Sequence, residues 1–593
     1  MRLQRPDTLA EFTEWTAELF GALPALRHRR RGGEGAGEWT ETGYHRLRET
    51  VREIGRGLIG LGVAPDDRVA ILSETRPEWT QGCFAVLAAG AVVVPVYPTA
   101  GLEELAWVLG DSGASVVICE DAAQAERIAA VRDRLPALRH VVLVDGGPGD
   151  VRLAALPDRA PLAALRARAT ARRPEDLCLI VYTSGTTGLP KGCRLTHGNM
   201  VSNNDATSGL TESAPGDVTY LYLPLAHIMG QLVQLSALRQ GGTLCYFGGR
   251  VEDVVAELAE VRPTHLPSVP RLFEKVHAGV LARAEAAGPD GRARLEAAVR
   301  TGLEMAEAEE RGVKPHDELR AAWQEAEERV FAPVRQLFGG RLRWALTGAA
   351  PIAPQTVDLL RACGIGIFEG YGMTEAAGVV TLNHRAAVRY GTVGRPVAGC
   401  ELRIADDGEV LVRGPGVFAG YHGDAAATAA AVDAQGWLHT GDVGSLDEDG
   451  YLRITGRKKD LIITSSGKNL APAPVEAALQ QSRWISRAVM IGDRRPYPVA
   501  LLTLDADEIA AWAVREGVAF GAAGPAGHPQ VQRLCREAVD AANERISRPA
   551  RIRAFAILPE DFSVAGGELT PTLKMRRAVI EQRYAAEIAE MYE

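Results

Sequence analysis

Residues 181–192 read VYTSGTTGLPKG, with three glycines, three threonines and a serine set between an apolar run and a lysine. A glycine-rich loop lets backbone N–H groups converge on an anion, and hydroxyls with one ammonium add donors and charge. A phosphate chain is therefore the first ligand to consider. The spacing is not that of a P-loop. Counting from Gly185, Pro190 stands where G-x-x-x-x-G-K-[ST] needs its second glycine, and Gly192 where it needs its hydroxyl. DLCLIVY (176–182) reads as a buried strand, and GCRLTH (192–197) as a second strand rather than a helix. The spacing predicts a hydroxyl-lined hairpin loop with no helix dipole behind it, the alternative being a plain surface turn.

Upstream, helical and strand patterns alternate. YHRLRETVREIGRGLIGLG (44–62), PEWTQGCFAVLAAG (77–90) and LEELAWVLGDSG (102–113) read as helices between the strands RVAILSE (68–74), AVVVPVY (91–97) and ASVVICE (114–120). Downstream the alternation resumes with GNMVSNN (198–204) as a helix, YLYLPL (220–225) as a strand, and LVQLSALRQGG (232–242) leading into TLCYFGG (243–249). This pattern predicts an α/β fold built on doubly wound, mostly parallel sheets, which place ligands at strand C-terminal ends. Residues 272–337, rich in Ala, Glu and Arg, predict two or three amphipathic helices, read as an insertion packed on the sheet. ELRI, EVLVRG and YLRITG predict a small β-barrel. Past Gly456 a compact α+β unit follows, so the expected domains are 1–456 and 457–593, the second small and mobile.

At 593 residues the chain exceeds one hydrophobic core, and a net charge of -9 gives no electrostatic case for nucleic acid. RHRRR (27–31) reads as a local solvated loop. Eight cysteines without C-x-x-C or histidine spacing argue for a reducing compartment and against structural zinc. The acidic, discontinuous first twenty residues do not resemble a secretion signal. FAVLAAGAVVVPVY (84–97), broken by Pro95, is too short for a membrane span. A cytoplasmic protein is expected, with peripheral membrane contact open. Only seven of the 66 basic residues are lysines, and Lys191, Lys458, Lys459, Lys468 and Lys574 fall in short motifs, where a compact ammonium is called for.

Those motifs are TGAAP (347–351), EGYGMTE (369–375), WLHTGD (437–442), GRKKDLIITSSGKN (456–469) and LTPTLKMRR (569–577). Glycines beside Tyr371 let a planar base lie on ring and backbone, and Glu375 offers a hard oxygen for Mg²⁺. Asp442 suits paired ribose hydroxyls, Arg457 is a second possible sugar contact, and Lys574 falls on a turn. Each stretch alone is weak.

Together and in this order they make the chain resemble the AMP-forming adenylating superfamily of acyl-CoA synthetases, peptide-synthetase adenylation domains and luciferases, over essentially its whole length. LPLAHIMGQ, the helical insertion, SSGKNLAPAPVE and ELTPTLKMRR look most like long-chain fatty acyl-CoA synthetases. The resemblance implies that a carboxylate attacks the α-phosphate of ATP, giving acyl-AMP and pyrophosphate, after which the thiol of coenzyme A displaces AMP. Thr183, Ser184, Gly185, Thr186, Thr187 and Gly188 would then hold the β- and γ-phosphates with Lys191, and Mg²⁺ would sit on Glu375. Thr374 would meet the α-phosphate. Gly348, Ala349, Ala350, Glu369, Gly370, Tyr371, Gly372 and Met373 would frame the adenine, and Asp442 with Arg457 the ribose. Lys574 would bridge carboxylate and nucleotide oxygens, His227 would stand beside the acyl pocket, and Gly467 with Lys468 would serve coenzyme A after the small domain pivots at Lys459. No general base is needed, because a carboxylate is already ionised at neutral pH. The competing readings are an acyl-AMP ligase that loads an acyl carrier protein, a ligase for an aromatic or branched acid, a silent regulatory relative, and oxidative luciferase chemistry.

Overall fold

The computed structural model describes residues 5–30, 37–146, 151–156, 159–183, 189–250, 253–465, 468–521, 524–570 and 574–593. Among them, one sheet runs in the order His140–Leu143, Val116–Cys119, Arg68–Leu72, Val92–Val96, Leu177–Thr183, Lys191–Thr196, parallel except for the last pair. Val92–Val96 is buried along its whole length, as a central parallel strand covered on both faces must be. The helix Tyr44–Gly60 turns Tyr44, Leu47, Val51, Ile54 and Leu58 inward at helical spacing. Pro77, pre-set for a first turn, opens the almost wholly buried helix Pro77–Ala88. The predicted alternation is present throughout this sheet.

A second sheet has the order Arg395–Pro396, Gly378–Leu382, Gly366–Met373, Trp344–Thr347, His265–Ser268, Val218–Leu221, Thr243–Tyr246, Pro24–Arg29, Trp39–Gly43. Its last two strands correct the sequence reading. Arg27, His28 and Arg29 are not a solvated loop but part of a strand paired in parallel with Thr243–Tyr246, and the Arg27 and Arg29 guanidiniums stack on Trp39. Local composition carried no sign of a partner so far along the chain.

The region read as a helical insertion folds as Pro270–Ala286, Gly291–Glu310, Asp317–Ala326, a π turn at Glu327–Phe331, and Ala332–Leu337. Leu272, Phe273, Val276, Leu295, Phe331 and Val334 share a core with Ile365 and Ile367, so these helices form a layer on the second sheet. The expected β-barrel is an antiparallel sheet, Glu401–Ile404, Glu409–Arg413, Leu438–Leu446, Leu452–Arg457, whose outer strands do not pair to close it among the described residues. Beyond it, Ile485–Ile491, Val499–Leu504 and Phe555–Ile557 form a small sheet flanked by the helices Pro472–Gln480, Ala506–Glu516 and Pro529–Arg545, with hydrophobic clusters of its own. The strand Phe555–Ile557 was not legible in the sequence. No helix among the described residues is long and apolar enough to cross a membrane.

Candidate active site

Leu177–Thr183 and Lys191–Thr196 pair antiparallel with Thr183 opposite Lys191, so the predicted hairpin forms. Ser184, Gly185, Thr186, Thr187 and Gly188 lie outside the described residues. The base of the loop is anchored from one side: Trp107 Nε1 donates to the Pro190 carbonyl at 2.8 Å, and the Tyr182 hydroxyl to Asp111 at 2.6 Å. From the other side His422 N–H donates to the Gly192 carbonyl at 2.7 Å. That contact brings Tyr421 and Asp424 to Lys191, whose Nζ lies 5.2 Å from the Tyr421 ring centre and 3.7 Å from Asp424 Oδ2. Lys191 is half-exposed, which keeps its charge available to an anion.

Trp344–Thr347 and Gly366–Met373 are neighbouring parallel strands with Thr347 opposite Glu369. Gly348 leaves the first so close to the second that a Cβ there would stand 3.0 Å from the Gly370 carbonyl, and Ala349 turns the chain with φ +66°. EGYGM is therefore strand rather than loop, paired antiparallel with Gly378–Leu382 and bulged between Tyr371 and Gly372. Gly372 is obligatory: a Cβ would meet the Gly378 carbonyl at 1.7 Å. Burial holds the Glu369 carboxyl up to about 7, against the opposing Gly391 N–H and Arg453 charge.

The Tyr371 hydroxyl donates to Asp442 Oδ2 at 2.7 Å, and Arg457 Nε donates to Oδ1 at 2.9 Å. Antiparallel pairing places Asp442 opposite Arg457, and the carboxylate is 6% exposed, so the guanidinium neutralises an almost buried charge. The turn Thr374–Ala376 follows Met373, with Thr374 buried. Glu375 Oε1 accepts from the Tyr421 hydroxyl at 2.9 Å. Among the described residues no three His, Cys, Asp or Glu side chains cluster to cage a metal. The Glu375 carboxylate alone still fits Mg²⁺, which is often held by one or two carboxylates together with substrate phosphates. Cys193, fully buried against Glu375, has its thiol pushed well up by burial and by that carboxylate, so it is no nucleophile.

Leu569 and Met575 pair in an isolated bridge, and inside it the Lys574 backbone bonds reciprocally with Thr570; residues 571–573 lie outside the described residues. Burial, then the Arg457 charge, depresses the proton affinity of the Lys574 ammonium, while the Glu375 and Asp442 carboxylates oppose them. The residue keeps more than a third of its surface exposed even though protein atoms are dense around its ammonium. Its own charge reaches His227. Downstream, Arg577 donates to the buried Glu476 at 2.6 Å, tying the segment to the helix Pro472–Gln480. Lys468 is exposed, its backbone bonded to Thr464, and it shares no ion pair with these groups among the described residues; Gly467 lies outside them. The turn Lys458–Asp460 follows the strand Leu452–Arg457, and Lys458 Nζ reaches Asp407 and, at 3.1 Å, Glu409.

His227 caps the helix Ile228–Arg239, with Nδ1 accepting from Met229 N–H at 3.2 Å. The proton of the neutral ring therefore sits on Nε2. Burial and the Lys574 charge hold the imidazole down to about 4 against an ordinary 6.5, so the stability linked to this neutral cap is full above pH 6.5 and drains away as pH falls toward 4. His227→Ala is expected to lower stability by about 1 kcal/mol, the worth of an N-cap, while His227→Asn keeps most of it. Equal denaturant midpoints for the two variants would refute the capping role. From His227 the helix lays Met229, Leu232, Val233, Ser236 and Ala237 along a cavity that is partly open to solvent. Pro267, Leu346, Val379 and Leu382 line the opposite wall, while Gly230 instead packs on Pro224.

The structure thus brings together Lys191, Tyr371, Glu375, Asp442, Arg457, Lys574 and His227, and keeps Lys468 apart. Sequence reasoning missed Tyr421 and Asp424. The signal was slight: a G-D pair before an Ala-rich run, where Asp424 caps the helix Ala425–Ala431.

A hairpin with Lys191 at its foot, a tyrosine–aspartate–arginine cluster and Lys574 near that cluster form a site suited to an adenylate-forming enzyme. Residues 13–422 match the AMP-binding enzyme family and residues 459–593 the AMP-binding enzyme C-terminal domain, and the chain belongs to that family. Long-chain-fatty-acid–CoA ligase FadD15 of Mycobacterium bovis is 40% identical over 563 residues, covering 94% of this chain and 93% of the relative. Long chain acyl-CoA synthetase 7, peroxisomal, of Arabidopsis thaliana is 31% identical, covering 97% and 85%. Among solved structures, the adenylation domain of a carboxylate reductase from Mycobacterium chelonae superposes with a TM-score of 0.74 at 22% identity, covering 99% of this chain and 91% of its own. The o-succinylbenzoate coenzyme A synthetase of Bacillus subtilis, solved with ATP and magnesium ion, gives 0.67 at 21%, covering 96% and 98%. These two likenesses establish the fold.

Proposed function

We propose that this chain is a long-chain fatty acid–CoA ligase, which activates the acid with ATP to acyl-AMP and pyrophosphate and then transfers the acyl group to coenzyme A. The observation that carries the reading is the convergence of Lys574 on Asp442, Arg457, Glu375 and His227, beside the near end of an apolar cavity. The relatives named as long-chain ligases over nearly the whole length support the same substrate class.

In this reading the substrate carboxylate oxygen forms a bond to the α-phosphorus, and the bond to pyrophosphate breaks. Two anions must meet, so their repulsion is the barrier to remove. Lys191 and the hairpin hold the β- and γ-phosphates, Thr374 the α-phosphate, and Lys574 spans carboxylate and nucleotide oxygens. The half-desolvated Lys574 ammonium interacts more strongly with developing charge than it would in water. Tyr371, Gly348, Ala349 and Ala350 frame the base, with Glu369, Gly370, Gly372 and Met373 shaping the strand beneath it. Asp442, pre-oriented by Tyr371 and Arg457, offers its oxygens to the ribose. Mg²⁺ on Glu375, when bound, supplies further positive charge to the triphosphate. The arrangement is the one that serves adenylation. For the second step the unit 457–593 turns about Lys459 against the unit 1–456, withdrawing Lys574 and bringing Gly467 and Lys468 toward the site.

Mass spectrometry of products from a panel of carboxylates with ATP, with and without coenzyme A, tests the proposal. Acyl-CoA from long-chain acids is expected. Acyl-AMP that persists until an acyl carrier protein is added, or turnover of aromatic acids alone, would replace it with another reading. Glu375→Gln keeps the shape and loses the charge, so it is expected to raise the Mg²⁺ concentration needed for half-maximal activity by about tenfold or more, the worth of one charged interaction of about 1.4 kcal/mol. An unchanged Mg²⁺ dependence would remove Glu375 from the metal site.

A further inference from the structure

The cavity beside the helix Ile228–Arg239 changes character along its length. Parallel strands run toward the nucleotide site, so Pro267 and Leu346 lie at its near part, while Thr219, His265 and Trp344, two residues earlier on their strands or at a strand start, lie at its far part. The helix runs the opposite way, from His227 at the site to Gln240 at the far end. The near walls are apolar. The far end is built from Asp217, His265, Trp344 and Gln240.

Those far groups are locked to one another. Arg343 donates to Asp217 Oδ2 at 2.6 Å and to His265 Nε2 at 2.8 Å, and Asp217 Oδ2 also accepts from Ala214 N–H at 2.7 Å. The His265 ring lies on Trp344 with centres 4.4 Å apart. Asp217 and His265 are buried, whereas Arg343 is half-exposed, so the cluster reaches from the cavity to solvent. A methyl terminus pushed into it gains no apolar burial and must part a bonded carboxylate, guanidinium and imidazole.

We infer that the Asp217–His265–Arg343 cluster is the end-stop that sets acyl chain length, an inference that rests on the fatty-acid reading of the site. From Met229 to Gln240 the helix advances roughly 16 Å at 1.5 Å per residue. An extended chain advances about 1.25 Å per carbon with tetrahedral bonds of about 1.5 Å, so about thirteen carbons fit before the cluster. With the carboxyl end outside the cavity, preference rises by about fourfold per added methylene and breaks off near fourteen to sixteen carbons. His265→Ala removes the ring that faces the chain but leaves the Arg343–Asp217 pair, and it deepens the cavity. Ala237→Phe fills the same cavity one turn short of Gln240.

The experiment measures kcat/KM for saturated acids of eight to twenty carbons with the wild type and both variants, and reads the ratio for eighteen against twelve carbons within each protein. A misfolded fraction lowers both terms alike and leaves the ratio intact. His265→Ala is expected to raise the ratio at least tenfold, as two or three further methylenes at about fourfold each require. Ala237→Phe moves the stop in by about three carbons, so it is read on shorter acids and is expected to lower the ratio for fourteen against ten carbons by a similar factor. If the wild type activates fatty acids while both variants keep its ratios, the end-stop is refuted and the ligase reading stands. If no saturated acid is activated, both fall together.

Discussion

Lys574→Ala is expected to slow acyl-AMP formation by on the order of a hundredfold or more, the scale seen when one charged or hydrogen-bonding donor to a transition state is removed. The prediction follows from where the side chain sits. Its ammonium is near enough to the Asp442 and Glu375 carboxylates, the Arg457 guanidinium and the His227 ring for their charges to act on one another. Alanine leaves the pairing with Thr570 intact, because those bonds run to the Lys574 backbone. The loss should fall on one half-reaction. Supplied with synthetic acyl-AMP and coenzyme A, the variant is expected to form thioester at close to the wild-type rate. An equal loss in both halves would mean that Lys574 acts on the fold or on the second step, and the proposed role would be abandoned.

Lys459→Pro is expected to retain adenylation, followed as pyrophosphate exchange, and to lose most coenzyme A-dependent turnover. Lys459 is the middle residue of the turn Lys458–Asp460, whose 3₁₀ geometry has a φ that proline also adopts. Proline therefore suits the arrangement in which Lys574 faces the site and resists the dihedral change needed to leave it. The restriction that proline places on Lys458 opposes this, but the Asp407 and Glu409 carboxylates hold that side chain in place. Lys459→Ala breaks no hydrogen bond or ion pair of the side chain among the described residues and should be mild. Acyl-CoA synthesis at the wild-type rate by the proline variant would move the hinge elsewhere.

Local patterning carried the first sheet and the phosphate hairpin, because apolar strands buried on both faces and helices with one apolar face leave distinct periodicities. Resemblance rather than patterning pointed to Tyr371, Asp442, Arg457 and Lys574, whose short stretches are each weak alone and lie far apart in the chain. Patterning could not carry what depends on distant pairing. Arg27–Arg29 read as part of a charged loop because their own composition lacks apolar alternation, and one of the two strands they join lies more than two hundred residues away. The antiparallel pairing of EGYGM is hidden because its glycines, one of them needed for close approach to Gly378, mimic turn composition. Tyr421, which braces Glu375 and covers Lys191, stands in a segment with no periodicity. The end-stop cluster draws Asp217, His265 and Arg343 from three separate strand entries, and no window of sequence holds them together.

The parallel pairing of Leu26 with Leu244 sets an order of assembly on the ribosome. The N-terminal hairpin emerges first, yet the strand it must join is synthesised roughly 10–45 s later at 5–20 residues per second. Throughout that interval an unpaired edge faces the cell, a template for association with other chains. Arg27, His28 and Arg29 lie on that edge, and their charges make it a poor partner for any strand but its own. The composition that disguised this strand as a loop is thus what lets it wait.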